Sequence, residues 1–215
     1  MTPEGATRPM TTTDFDARAA TWDDDPTKAE RAQAVADAIG RHVPLARSMH
    51  ALEYGCGTGV LSFMLRPQLG DITLADVSDG MLDVAAGKIA AAHDPALRAV
   101  KLDLLADPLP EQRFDLVYSL MTLHHIPDTA AILQRFRAVL RAPGYLCIAD
   151  LDTEDGSFHG EGVDVHLGFD RAALGALARR AGFAAVDFST AHVMTKAVGS
   201  DMRRFPIFLM VARTA

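Results

Sequence analysis

The stretch Glu53-Tyr54-Gly55-Cys56-Gly57-Thr58-Gly59 constrains this chain more than any other. It follows the apolar run His50–Tyr54, which reads as a strand, and precedes Val60–Arg66, which reads as the start of a helix. Glycines there let the backbone turn tightly and approach a ligand with no Cβ in the way, while the helix presents free N–H groups. A strand, a glycine turn and a helix in that order make a cradle for a cofactor.

The register of the glycines narrows the choice. A G-x-G-x-x-G dinucleotide fingerprint needs glycine at position 60, where this chain has Val60. The spacing is instead G-x-G-x-G, with Glu53 ahead of it and Asp76 at the end of the next predicted strand. A carboxylate at that strand end can accept hydrogen bonds from both hydroxyls of a ribose.

Short apolar runs alternate with helical segments around this motif. Strands are predicted at Ile72–Ala75, Leu97–Leu102, Phe114–Ser119 and Tyr145–Ala149, with helices at Met81–Ala92 and Thr129–Arg141. Repeated βα alternation argues for an α/β fold, a parallel sheet with helices on both faces and ligands at the carboxyl ends of its strands. A helix should run from Pro26 with Ala32, Val35, Ala36, Ile39 and Val43 on one face, and a last helix covers Arg171–Ala181 between that sheet and strands at 184–189 and 205–212. Residues 1–13 read as a flexible tail, order is expected from near Phe15, and 14–215 as one domain whose first part, 14–45, is a lid and helix. The Gly- and Asp-rich segment 151–168 reads as an active-site rim.

Composition excludes several partners. With 21 Lys and Arg against 28 Asp and Glu, a net charge of −7 disfavours a nucleic acid. The two cysteines, one in the glycine turn and one in an apolar run, support neither a disulfide framework nor a cysteine zinc site, and a cytoplasmic setting is expected. Neither a signal peptide nor an apolar stretch long enough to span a bilayer is evident, so no membrane partner is expected.

On the glycine motif, Asp76 and their order along the chain, residues 52–150 resemble the class I S-adenosylmethionine (SAM)-dependent methyltransferases of the small-molecule type. The resemblance implies a Rossmann-like, doubly wound, seven-stranded sheet, mostly parallel, with an antiparallel last strand supplied by Phe205–Ala212. It departs from the family at Ala142-Pro143-Gly144-Tyr145, where a second glycine is usual. It also implies SAM as cofactor, S-adenosylhomocysteine as product and a small molecule as methyl acceptor. Gly55, Cys56, Gly57 and Gly59 would then line the methionine and ribose part of SAM, with Glu53 ahead of them and Asp76 on the ribose. Val77, Ser78 and Met81 would lie along the adenosine, Asp103 and Leu104 beside the adenine, and Ser119 beneath the methionine end. Phe15–Trp22 resembles the lid segment of such domains, although an N-cap and packing role for Trp22 to Pro26 fits equally.

The acceptor side is less legible. His124 and His125 follow the strand Phe114–Ser119, where cofactor and acceptor meet in this architecture, and an imidazole there could orient or deprotonate the acceptor. Adjacent side chains alternate on an extended segment, so one of the two should face the pocket, His124 in preference. His159 and His166 in the acidic loop are further candidates. A metal site from Asp150, Asp152, His159 and His166 lacks any tight ligand spacing, and no metal is expected. A non-catalytic SAM-binding module and a protein methyltransferase remain as alternative functions, and the acceptor atom and oligomeric state are open.

Overall fold

The computed structural model describes residues 8–9, 11–160 and 163–215. In chain order the elements are β1 Arg8–Pro9, α1 Thr12–Asp16, a 3₁₀ segment Ala19–Asp24, α2 Pro26–His42, β2 Ala51–Tyr54 and α3 Val60–Leu65. β3 Ile72–Asp76, α4 Asp79–Ala92, β4 Leu97–Lys101, β5 Phe114–Leu120 and a 3₁₀ turn Leu123–His125 follow. The chain ends with α5 Thr129–Val139, β6 Leu140–Leu151, β7 Val163–Asp164, α6 Arg171–Arg180, β8 Ala185–Val198 and β9 Asp201–Arg213.

The main sheet has seven strands in the order β4-β3-β2-β5-β6-β9-β8. β2 to β6 are mutually parallel, and β9 runs antiparallel to both β6 and β8. The chain winds outward from β2 through β3 to β4, then returns to lay β5 on the other side of β2. Strand order therefore reverses between β2 and β5, where a crevice opens at the carboxyl ends.

Alternation along the strands divides the core into two layers. Leu116, Tyr118, Cys147 and Ala149 face α2, α3 and α4, packing on Val35, Ile39, Leu61, Leu65 and Leu82. Val117, Leu146, Ile148 and Phe208 face α5 and α6, packing on Ile132, Phe136 and Leu174. The doubly wound sheet implied by the sequence is thus the observed one.

The differences lie at element ends. Leu140 turns extended (ψ 144°), so α5 stops at Val139 and the next strand begins five residues before Tyr145. Strands expected at 184–189 and 205–212 extend into a hairpin over Ala185–Val198 and Asp201–Arg213. Helix α1 starts at Thr12, ahead of Phe15, and β1 pairs with β7 in the expected rim. The rest of the expected tail, residues 1–7 and 10, lies outside the described residues.

Candidate active site

A cavity of about 440 Å³ occupies the crevice beyond β2, β3 and β5. Its floor is the glycine turn. Gly55 and Gly57 have φ of +68° and +52°, a region costly for residues with a Cβ. They need it for different reasons. A Cβ on Gly55 would lie 2.2 Å from Thr122 Cγ2, so the turn presses against the segment after β5. A Cβ on Gly57 would lie 3.8 Å from Trp22 Nε1 and 3.9 Å from Met81 Sδ, inside the cavity. Gly59 caps α3 and packs towards Leu74.

Asp76 fixes this turn. Its Oδ2 accepts from the Gly57 amide at 2.7 Å, and its Oδ1 accepts from Val77 N at 2.8 Å and Ser78 N at 3.0 Å. Behind it, Glu53 is buried and accepts from the amide and hydroxyl of Ser62, whose Oγ lies 2.7 Å from the Tyr118 hydroxyl. Burial outweighs these hydrogen bonds and lifts the Glu53 carboxyl to about 8. Burial likewise pushes the Cys56 thiol well up, which makes it a small apolar wall and a poor nucleophile.

The N-terminal segment closes one side of the cavity. Thr58 donates to Asp23 at 2.6 Å, and Lys88 pairs with the other oxygen of that carboxylate. Asp16 accepts from Ser78 Oγ at 2.5 Å and from Gly80 N at 2.9 Å, which fastens α1 to the start of α4. Trp22 lines the cavity with Lys28 Nζ 3.7 Å above its ring, and Phe15 meets Trp22 edge-on. Asp25 accepts from Thr27 N at 3.0 Å and caps α2, so the acidic run serves helix and cradle together.

The opposite wall is made of imidazoles. Leu123–His125 is a 3₁₀ turn and not an extended strand, so His124 and His125 both line the cavity, which corrects the expectation that only one would face it. His159, from the loop after β6, joins them, with ring centroids 4.7 Å from His124 and 5.8 Å from His125. His124 is buried, and its Nδ1 lies 2.7 Å from Asp150 Oδ1. Burial alone would raise the Asp150 carboxyl, but the facing His124 ring and the amides of Leu151 and His124 bring it below its usual range. Burial, with the neighbouring imidazole rings, lowers His125 to about 3 and His159 to about 4, so both are neutral near pH 7.

Of the sequence-predicted cofactor residues, Glu53, Gly55, Cys56, Gly57, Asp76, Val77, Met81 and Asp103 line the cavity. Gly59, Ser78, Leu104 and Ser119 stand behind it. Ser78 caps α4, Leu104 donates its amide to the Tyr54 hydroxyl at 3.2 Å, and Ser119 is buried in β5. Leu105, Thr122 and Thr58 take cavity positions that the sequence reading missed. The rejected metal quartet is not assembled: Asp152 pairs with Arg171 at 2.7 Å, and His166 Nε2 lies 3.0 Å from Ile126 O.

The cavity suits SAM on its own features. A Cβ-free floor at Gly57, an acidic strand end and an apolar wall of Val77 and Met81 give an elongated polar and apolar ligand its contacts, and the volume lies in the usual range for small-molecule sites.

Residues 51–144 match the model of a family described as a methyltransferase domain. An uncharacterized methyltransferase of Schizosaccharomyces pombe is 33% identical over 137 residues, covering 56% of this chain and 48% of the relative. The 27-O-demethylrifamycin SV methyltransferase of Amycolatopsis mediterranei is 28% identical over 138 residues, covering 60% of this chain and 48% of the relative. The chain thus spans about half the length of the curated relatives it matches. Among solved structures, a Haemonchus contortus phosphoethanolamine N-methyltransferase 2, in complex with phosphomonomethylethanolamine and S-adenosylhomocysteine, superposes with a TM-score of 0.72 at 17% identity, covering 95% of this chain and 60% of that one. Among the described residues no helix is long and apolar enough to cross a membrane.

Proposed function

We propose that this chain, whose residues 51–144 match a methyltransferase-domain family, is a class I, Rossmann-like methyltransferase that transfers the methyl group of SAM to a small-molecule acceptor, releasing S-adenosylhomocysteine. The observation that carries this reading is Gly57: its missing Cβ faces an otherwise walled cavity, between Trp22 and Met81, with Asp76 bound to its amide. Gly55, Cys56, Gly57, Asp76, Val77, Met81 and Asp103 hold the cofactor directly, and Glu53, Gly59, Ser78, Leu104 and Ser119 buttress them.

SAM supplies a methyl group already activated by its sulfonium, so the chain's work is alignment and proton management. Alignment in a preformed cavity is worth several kcal/mol, up to about 7 or more. Phe15, Trp22 and Met81 give it apolar walls. Asp150 accepts a hydrogen bond from His124 Nδ1, which turns Nε2 towards the acceptor side of the cavity. His125 completes that wall. The two cysteines are free and buried, which supports a reducing, cytoplasmic setting.

The test is a single-turnover incubation with SAM labelled in its methyl group and a panel of small hydroxyl, amine and thiol acceptors. Label appearing in one acceptor class with stoichiometric S-adenosylhomocysteine supports the proposal. Tight SAM binding without consumption across the panel would point to a binding module, and label on added protein alone to a protein methyltransferase.

A further inference from the structure

The imidazole wall holds more nitrogen than proton transfer uses. His124, His125 and His159 each offer one ring nitrogen, and these atoms lie within 4.8 Å of one another. Among the described residues no hydrogen bond joins the three rings, and His159 Nδ1 is buried with no hydrogen-bond partner at all. A buried nitrogen left unpaired forfeits its hydrogen bond to water, so a cluster of this kind asks for an occupant.

We infer that His124, His125 and His159 bind one divalent transition-metal ion, with Asp150 behind His124, and that the ion's open position takes the hydroxyl or thiol of the methyl acceptor. The second half rests on the methyl-transfer reading, and the first half does not. Three nitrogens around an ion at about 2.0–2.1 Å sit roughly 3.3 Å apart, so the rings must close in from their present spread. The means is present, because His159 lies in a loop beside Gly160, around which a Cβ would meet nothing within 4 Å.

Three further features fit a metal. The His124–Asp150 hydrogen bond is the carboxylate–histidine pairing that fixes a ligand's tautomer, pointing Nε2 outward. Asp150 is fully buried, so its carboxylate stands directly behind the His124 ring with no solvent between them. All three rings line the cavity that contains Gly57, so a fourth coordination position opens towards the proposed methyl-transfer site. An all-imidazole set suits zinc, cobalt, iron, nickel or copper and not magnesium or calcium. A cation there stabilises the conjugate base of a ligating hydroxyl or thiol, easing loss of its proton to solvent.

The full chain, stripped with a chelator, is titrated with Co²⁺ while its visible ligand-field absorption is recorded. The expected result is intense, saturable absorption at one ion per chain, bleached by added Zn²⁺. His125→Ala and His159→Ala should each weaken Co²⁺ binding by about a hundredfold, and Asp150→Asn by about 10–100-fold, with S-adenosylhomocysteine affinity kept within about threefold to show an intact cradle. Histidine ring NMR of the wild type needs no variant: on Zn²⁺ addition, three of the eight histidines should shift together. No saturable absorption in the wild type, or unchanged absorption in the folded His125→Ala/His159→Ala double variant, would overturn the site while leaving methyl transfer standing. Metal binding without methyl transfer would do the reverse.

Discussion

Asp76 accepts a hydrogen bond from the Gly57 amide at 2.7 Å, so the carboxylate expected to meet a ribose also holds the cradle in shape. Asp76→Ala removes both roles. Charge-assisted hydrogen bonds are worth about 1.5–3 kcal/mol each, so SAM should bind at least tenfold more weakly. Calorimetry on Asp76→Ala and Asp76→Asn checks this, with Asp76→Asn expected to fall between Asp76→Ala and the wild type. Equal affinities in all three would confine Asp76 to hydrogen bonds within the turn.

Trp22 is the only tryptophan in the chain, and it lines the cavity from the segment tied to Thr58 through Asp23. Ligand entry should therefore change its emission. A spectrum unmoved by saturating S-adenosylhomocysteine, with binding confirmed by calorimetry, would leave Trp22 as packing for α2.

Burial lifts Glu53 to about 8, which gives the ligand-free protein a pH dependence of known sign. The folded state holds a proton that the unfolded chain releases above its ordinary carboxyl value. Stability from this group is therefore full below about pH 4.5 and is lost as pH rises through about 8, by a few kcal/mol in all. Urea denaturation of Glu53→Gln should show a flatter profile across that window. An identical slope in wild type and variant would mean that Glu53 is ionised in its pocket.

His124 and His125 both face the cavity, so both substitutions by alanine should act on chemistry. Turnover should fall by about ten- to a thousandfold in each, with SAM affinity within about threefold. His124→Ala should also cost stability, because it strands the buried Asp150. Full activity in the double variant would remove both from the reaction.

What the sequence showed and what it hid differ in range. The cradle, Asp76 and the parallel strands were legible because each is written in consecutive residues, as a glycine turn, a strand end or an apolar run. The partner of His124 was not, because Asp150 meets it only through the register that sets Leu120 beside Ala149 across β5 and β6. His159 reaches the same wall by the path of a loop with no periodic pattern. The tie of Asp23 to Thr58 likewise joins segments that no local spacing relates. The outer part of the β8–β9 hairpin was missed because residues 190–204 are largely exposed or half-buried and carry little alternation.

The central claim, that the glycine turn cradles SAM, is tested most directly by calorimetric titration of the wild type and Gly57→Val with S-adenosylhomocysteine. A valine there sits in the cavity and not in the core, so the variant should fold, at a cost of about 1–3 kcal/mol for its left-handed backbone. The expected result is saturable binding to the wild type and none to Gly57→Val. Unchanged affinity in a folded Gly57→Val, or no binding by a folded wild type, would contradict the cofactor assignment.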